Sequence, residues 1–264
     1  MKQLSIPQIE AALGPSLFNR NLVYRESLDS TNRLARDLAS RGAPEGTVVL
    51  CDEQTAGRGR LGRRWESPKN TNLLVSLVMR PPLRPAEVFR LTMILALAAV
   101  AAAEEVCGVS PGIKWPNDLY VEGKKLGGIL TEFSAAGSRV ESVVLGLGLN
   151  VNWHPEEGLS PSVSLAKAAG REIAREPLLT SLLLEFESNY ASLGEGALEA
   201  LQKRWNEKSA TLGRTVKVEV PGGMVQGVAQ GIDRDGALVL REPGGREQRI
   251  LCGDVFLVRP TDKA

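Results

Sequence analysis

The run Ile113-Lys114-Trp115-Pro116-Asn117-Asp118-Leu119-Tyr120-Val121-Glu122-Gly123-Lys124-Lys125-Leu126-Gly127-Gly128-Ile129 decides the fold class. Its apolar, β-branched and aromatic segments read as strands, Pro116-Asn117-Asp118 as a turn and Glu122-Gly123 as a hairpin turn, leaving no room for a helical crossover. Working outward, Lys125 to Phe133 is a strand, Gly137-Ser138 turns the chain, and Val140 to Val151 returns. Upstream, Thr47 to Cys51 and Leu73 to Met79 are further strands, the second stopped by Pro81-Pro82. Glu87 to Val106 is an Ala/Leu helix suited to cover a sheet face. Ser30-Thr31-Asn32 opens a helix carrying Leu34, Ala35, Leu38 and Ala39, with Ser or Thr as N-cap and Gly42 as terminator. Pro177 opens a Leu-rich helix running to Tyr190, and Ala197, Leu198, Leu201 and Trp205 mark another. Clustered strands with flanking helices predict an α+β domain built on a mixed β-sheet rather than regular βαβ winding. Beyond Leu212, Val216, Val218 and Val220 alternate with charged residues, and Pro221-Gly222-Gly223, Asp235-Gly236 and Pro243-Gly244-Gly245 punctuate short strands. That texture predicts a small C-terminal β-barrel of five strands. The expected organisation is a lead-in over 1–28, a larger domain over 29–211 and the barrel over 212–264.

Charge and composition narrow the chemistry. Lys and Arg total 32 against 31 Asp and Glu, so no global basic field exists, although a local patch is compatible with that balance. The chain is 43% hydrophobic and 24% charged, which excludes a disordered or collagenous polymer. The apolar stretch Leu91 to Ala103 is too short to span a bilayer, and no signal-peptide core follows Met1. Cys51, Cys107 and Cys252 are odd in number and lack C-x-x-C spacing, which argues against a disulfide framework and a thiolate zinc site and predicts the cytoplasm. His154 is the single histidine, so a multi-histidine metal site is excluded and a Ser-His-Asp triad would have to use that residue. Its place after a strand predicts a surface position. Chemistry therefore falls to Lys, Arg, Asp and backbone amides, a set suited to phosphates.

Three stretches carry that chemistry. Gly57-Arg58-Gly59-Arg60-Leu61-Gly62-Arg63-Arg64-Trp65 combines backbone that approaches a ligand closely with planar, permanent cations. It fits neither the Walker nor the Rossmann spacing, and it reads as an anion-binding loop or as a solvated, RNA-binding basic segment. Trp65 is either a core aromatic or a cover for an apolar ligand part. In Lys114-Trp115-Pro116-Asn117-Asp118 the Asn-Asp pair is either plain turn chemistry or a site where Lys114 meets an anion and Asp118 holds Mg²⁺ or a ribose. Of the adjacent Lys124 and Lys125, strand alternation sends one towards the site and the other to solvent. In Gly146-Leu147-Gly148-Leu149-Asn150, alternate glycines leave one strand face bare as a floor for a thin ligand, with Asn150 on the same face.

As a set these stretches resemble the biotin–protein ligase family. The likeness rests on Ser30-Thr31-Asn32, Gln54-Thr55-Ala56 with the arginine loop and Trp65, Lys114 to Asp118, Lys125-Leu126-Gly127-Gly128-Ile129-Leu130, and Gly146 to Asn150, in family order. The resemblance implies a catalytic domain like that of class II aminoacyl-tRNA synthetases, followed by an SH3-like barrel. It implies ATP-dependent activation of biotin to biotinyl-5′-AMP with Mg²⁺, then transfer to one lysine of a biotin carboxyl carrier domain. By position it places Ser30, Thr31, Asn32, Gln54, Gly57 and Arg58 around the ureido end of biotin, and Trp65, Gly128 and Gly146 along its ring and tail. Lys125 and Arg60 fall at the carboxylate–phosphate junction as catalytic residues. Arg63, Lys114, Asn117 and Asn150 fall on the nucleotide, and Asp118 on the phosphates or metal. No covalent enzyme intermediate is implied, and pairing of two copies through a sheet edge is compatible with the family. Some members begin with a DNA-binding domain; only some 28 residues precede Ser30-Thr31-Asn32 here, so no specific operator binding is expected. The rival readings are a lipoate or octanoyl transfer enzyme of the same fold, for which Cys51 is the thiol to check, and a nucleic-acid-binding module.

Overall fold

A computed structural model describes residues 2–156, 161–193 and 197–257. The end of the expected barrel, 258–264, lies outside the described residues. Strands β1 (Leu22–Leu28), β2 (Thr47–Gln54), β3 (Leu73–Met79), β4 (Gly112–Lys114), β5 (Asp118–Val121), β6 (Lys124–Ala136) and β7 (Arg139–Leu149) form one sheet. Its order is β1-β2-β3-β7-β6-β5-β4, antiparallel throughout except for the parallel β1–β2 pair. Helix α2 (Thr31–Ser40) is the crossover that makes that one pair parallel. β1 contains the lead-in strand expected at Leu22 to Tyr24, and its ladder to β2 makes that segment part of the larger sheet.

The period of two in β3 and β7 sorts the two faces. Leu73, Val75, Leu77, Leu145, Leu147 and Leu149 point to one face and are buried in the main core. Against them pack α3 (Phe89–Cys107) and, over it, α5 (Arg175–Ala191), with α1 (Ile6–Leu13) alongside. With the 3₁₀ turn before it, α3 spans Pro85–Cys107, so it is longer than the uncharged stretch and long and apolar enough to cross a bilayer. Its side chains are instead spent on this core, where Ile94, Leu95, Ala98 and Ala102 are fully enclosed. α5 starts two residues ahead of Pro177, at Arg175, whose guanidinium is buried 2.8 Å from the enclosed Asp52 carboxylate. That pair meets the requirement that buried charges be matched.

Val144, Gly146 and Gly148 point to the opposite face. Only half of it is covered: Ala35 and Ala39 of α2 pack on Val49, Val78 and Val144. The uncovered half, over β7, β6, β5 and β4, is where the glycine floor lies. Short helices α4 (Leu165–Ala169) and α6 (Ala197–Glu207) lead to the second sheet. This consists of β8 (Thr215–Val220), β9 (Gly223–Ile232), β10 (Leu238–Arg241), β11 (Glu247–Ile250) and β12 (Asp254–Leu257), in the order β11-β10-β9-β8-β12. All its pairings are antiparallel, as expected of a small SH3-like module.

Candidate active site

The floor is built by register. Gly128 of β6 lies opposite Gly148 of β7, and Ser76 of β3 opposite Gly146, so three neighbouring strands present almost no side chain above the sheet. Each bare position already has an occupant overhead. A Cβ on Gly146 would sit 1.9 Å from Asn32 Oδ1, and one on Gly148 would sit 2.6 Å from Trp65 Cε2. Asn32 is clamped there: its amide donates to Leu130 O at 3.1 Å and Glu132 Oε2 at 2.9 Å, and Ser76 Oγ donates to its Oδ1 at 2.7 Å. The backbone N–H and hydroxyl of Thr31 both donate to Gln54 Oε1, at 2.8 and 3.1 Å. Ser30 occupies the N-cap position without a side-chain cap bond, which leaves its hydroxyl uncommitted to the helix. With Asn32, Arg58, Leu130 and Glu132 it lines a cavity of about 210 Å³ at the α2 end of the floor.

At the other end stand the cations. Asp118 pairs with Gly128, Tyr120 with Lys125, and Lys114 with Asp118, so these side chains share the floor's face. Strict alternation would put Lys125 and Gly128 on opposite faces. A register shift in β5–β6 at Leu119/Tyr120 leaves Leu126 as an extra residue and restores Lys125 to the site. Lys125 Nζ lies 2.8 Å from Asp118 Oδ1, and a Cβ on Gly128 would meet both groups at 3.5 and 3.1 Å. Lys124 is exposed, as alternation predicts. Lys114 Nζ lies 5.0 Å from the Tyr120 ring centre and 3.4 Å from its hydroxyl. Burial pulls the Lys114 ammonium below the ordinary lysine range, with Asp118 opposing, and burial raises the Tyr120 phenol to about 12.

The arginine loop crosses above. Gly59 N–H donates to Arg63 O at 2.7 Å and Trp65 N–H to Gly57 O at 3.0 Å, closing it into a narrow ribbon with a 3₁₀ turn at Arg60–Gly62. Gly57 is required, because a Cβ there would lie 2.5 Å from Trp65 O. Arg60 donates to Asn117 Oδ1 at 2.9 Å and to Gly253 O at 3.1 Å, and lies 3.4 Å from Asp254 Oδ1. Arg63 also pairs with Asp254. Arg60 therefore reaches the Lys125–Asp118 pair through Asn117, not by direct contact with Lys125. Trp65 Nε1 is buried without a hydrogen-bond partner among the described residues.

Two further predicted residues are deeply set. Asn32 is largely enclosed, with one edge on the cavity, and holds the floor in place. Asn150 is also enclosed; its Nδ2 donates to Val163 O at 3.2 Å, while its Oδ1 has no partner among the described residues. Trp115, between Lys114 and Pro116, turns into the core and donates from Nε1 to Gly236 O at 2.9 Å. Sequence reasoning missed Ser76, Glu132, Tyr120 and Asp254. A lone hydroxyl inside the apolar run Leu73 to Met79 was the available signal for Ser76; nothing local marks Asp254. His154 is half-buried, its Nδ1 3.3 Å from Ser164 Oγ, and burial holds its pKa below the usual histidine value. Among the described residues no group of three His, Cys, Asp or Glu is placed to hold a metal. A larger groove, about 450 Å³, runs between α1, α3 and α5, but glutamates and no cation line it, so it cannot neutralise a nucleotide.

A half-covered mixed sheet thus carries a polar pocket at one end and paired cations at the other. The comparisons make that specific. A sequence profile of the biotin/lipoate A/B protein ligase family matches residues 24–150, and one of the biotin protein ligase C-terminal domain matches 211–258. The chain is 37% identical to the bifunctional ligase/repressor BirA of Bacillus subtilis, over 97% of this chain and 79% of that protein. It is 36% identical to the biotin–[acetyl-CoA-carboxylase] ligase of Paracoccus denitrificans, over 86% of this chain and 97% of the relative. The biotin protein ligase of Aquifex aeolicus, solved in complex with biotin and ATP, superposes with a TM-score of 0.77 at 30% identity, covering 91% of this chain and 99% of that one. The chain belongs to the biotin protein ligases.

Proposed function

We propose that this enzyme joins biotin to ATP, releasing pyrophosphate, and passes the biotinyl group from biotinyl-5′-AMP to a lysine of a biotin carboxyl carrier domain. The observation that carries the residue assignment is the Gly128–Gly148 floor, with a polar pocket at its α2 end and Lys125, Lys114 and Arg60 at the other. Ser30, Thr31, Gln54 and Arg58 take the ureido ring, which needs both donors and acceptors. The glycine floor and Trp65 take the thin apolar ring and tail, and the unpartnered Trp65 N–H supplies a donor to a ligand oxygen.

In the first step a carboxylate oxygen attacks the α-phosphorus and the bond to pyrophosphate breaks. Two anions must approach, and a pair of unit charges about 4 Å apart repel by roughly 4 kcal/mol at an effective dielectric near 20. Lys125 and Arg60 oppose that repulsion from fixed positions. Lys114, Arg63, Asn117 and Asn150 are assigned to the nucleotide. Mg²⁺ fits here only in the manner of ions held by one carboxylate plus substrate phosphates, with Asp118 as the carboxylate. When bound it supplies further charge neutralisation on the phosphates. In the second step the acceptor amine, unprotonated, attacks the acyl carbon of the mixed anhydride and AMP leaves, so no enzyme nucleophile is required.

The thiol-dependent octanoyl alternative is disfavoured by Cys51. It is fully enclosed, and burial pushes its thiol up to about 12, so no thiolate forms near neutrality. A nucleic-acid module is disfavoured because Arg60 and Arg63 are already engaged inward. We assign the ligase unit to the large sheet and its helices up to residue 211, with β1 included and not set apart in a lead-in, and 212–264 to the small module, and place the enzyme in the cytoplasm, where three unpaired cysteines persist. Neither sequence-specific DNA binding nor pairing of two copies is needed for this chemistry. Incubation with labelled biotin and Mg-ATP should release pyrophosphate and leave an acid-labile bound adenylate. Pyrophosphate release driven faster by lipoate than by biotin would replace this reading with the lipoate one.

A further inference from the structure

We infer that Asp254, in the five-stranded module, is a positioning residue for the arginine loop, holding Arg60 and Arg63 over the lysine end of the floor. The inference rests on the proposed function, in which Arg60 and Arg63 make this loop the cover of the adenylate. The loop packs four arginines into seven residues, and the acid nearest in sequence, Glu66, pairs with Arg64 at 3.8 Å. Asp254 answers two of the other three. It pairs with Arg63, lies 3.4 Å from Arg60 Nη1, and its side chain is only 11% exposed. A carboxylate so far removed from water is stable only when matched by cations, which makes the contact mutual.

The placement of Asp254 is imposed from outside the loop. The chain enters β12 through Gly253, where a Cβ would lie 2.5 Å from Glu219 O and 2.8 Å from Val218 Cγ1. This tight entry delivers the Gly253 carbonyl to Arg60 and the Asp254 carboxylate to both guanidinium groups. The module is itself fixed against the larger domain. Trp115, inside the Lys114–Asp118 stretch, donates to Gly236 O, and a Cβ on Gly236 would fall 1.8 Å from Phe89 Cδ1. Lys114, Asn117, Arg60 and Asp254 are thus referenced to one another through the module, and the nucleotide end of the site includes a residue from it.

The test compares Asp254→Asn, which keeps shape and removes charge, with Glu219→Gln, its cross-strand neighbour in β8. Trypsin cleavage after Arg60, Arg63 and Arg64, mapped by mass, should speed up about five-fold in D254N, the scale of one partly exposed ion pair. The thermal midpoint should match that of the parent. KM for ATP should rise by a similar factor while KM for biotin stays unchanged, and Asp254→Glu should restore part of both. An unchanged cleavage rate in D254N, equal acceleration in E219Q, or acceleration accompanied by a lower thermal midpoint overturns the inference. Failure of biotin with Mg-ATP to protect the parent loop, while D254N still accelerates cleavage, would instead count against the adenylate-cover reading and leave the positioning role standing.

Discussion

The glycine floor and the arginine loop meet where Trp65 lies over Gly148, yet they are held by opposite means. On the floor, position follows from backbone: Gly128, Gly146 and Gly148 are set by the ladders of β3, β7 and β6, and the enclosed Ser76 and Asn32 brace them through hydrogen bonds. In the loop a few backbone bonds close the ribbon, and Arg60 and Arg63 take their positions from acceptors on Asn117, Gly253 and Asp254. The floor tolerates no added atom at Gly146 or Gly148, whereas Arg60 and Arg63 in the loop depend on charge. The contrast also divides labour. A rigid floor suits the neutral part of the substrate, whose shape does not change during reaction. A side-chain-tethered loop suits the phosphates, whose charge does change.

Substitutions sharpen the contrast in decreasing order of effect. Lys125→Ala removes the cation that belongs to the floor and leaves Asp118 unpaired; adenylate formation, followed as pyrophosphate release, should fall by about 10²–10³ in kcat, as for loss of a preorganised charge donor. Gly146→Ala drives a methyl into Asn32, which three hydrogen bonds prevent from yielding. It should cost about 1–3 kcal/mol in denaturant unfolding, in line with overpacking, and weaken biotin binding more than ATP binding. Arg63→Ala, in the loop, should leave unfolding free energy within about 1 kcal/mol of the parent, because an exposed ion pair contributes little, and should raise KM for ATP. Equal stability losses for Gly146→Ala and Arg63→Ala would erase the distinction drawn here.

The smallest effect is a pH dependence. Burial lowers the Lys114 pKa below that of a free lysine, so in alkaline solution the folded protein loses this proton before the unfolded chain does. Below the folded pKa both states are charged and the burial penalty is complete; as pH rises through it, that penalty on folding is relieved while the cation offered to ATP disappears. ATP affinity should therefore decline with rising pH earlier than an ordinary lysine would dictate, and Lys114→Arg should flatten the decline. Calorimetric titration of Mg-ATP across the alkaline range checks this.

Much of this was legible in the chain. The apolar, β-branched runs from Leu73 to Met79 and from Val140 to Val151 marked buried strands, because burial leaves a direct trace in residue type. The glycine pairs and the arginine loop were equally visible, since only unusual backbone or ligand demands explain them. Other features left no trace. That Lys125 shares a face with Gly128 depends on one extra residue at Leu126, which no alternation rule predicts. That Asn32 and Asn150 are so deeply set depends on which segments pack over them: Gly146 beneath the first, and the segment at Val163 beside the second. Amino-acid order determined the strands, the charges and the bare floor, because these are properties of residues and their immediate neighbours. Which cation meets which carboxylate, Arg60 and Arg63 with Asp254 above all, was decided only when segments some 190 residues apart came together, since Coulomb and hydrogen-bond energies depend on distance in space and leave no mark on spacing along the chain.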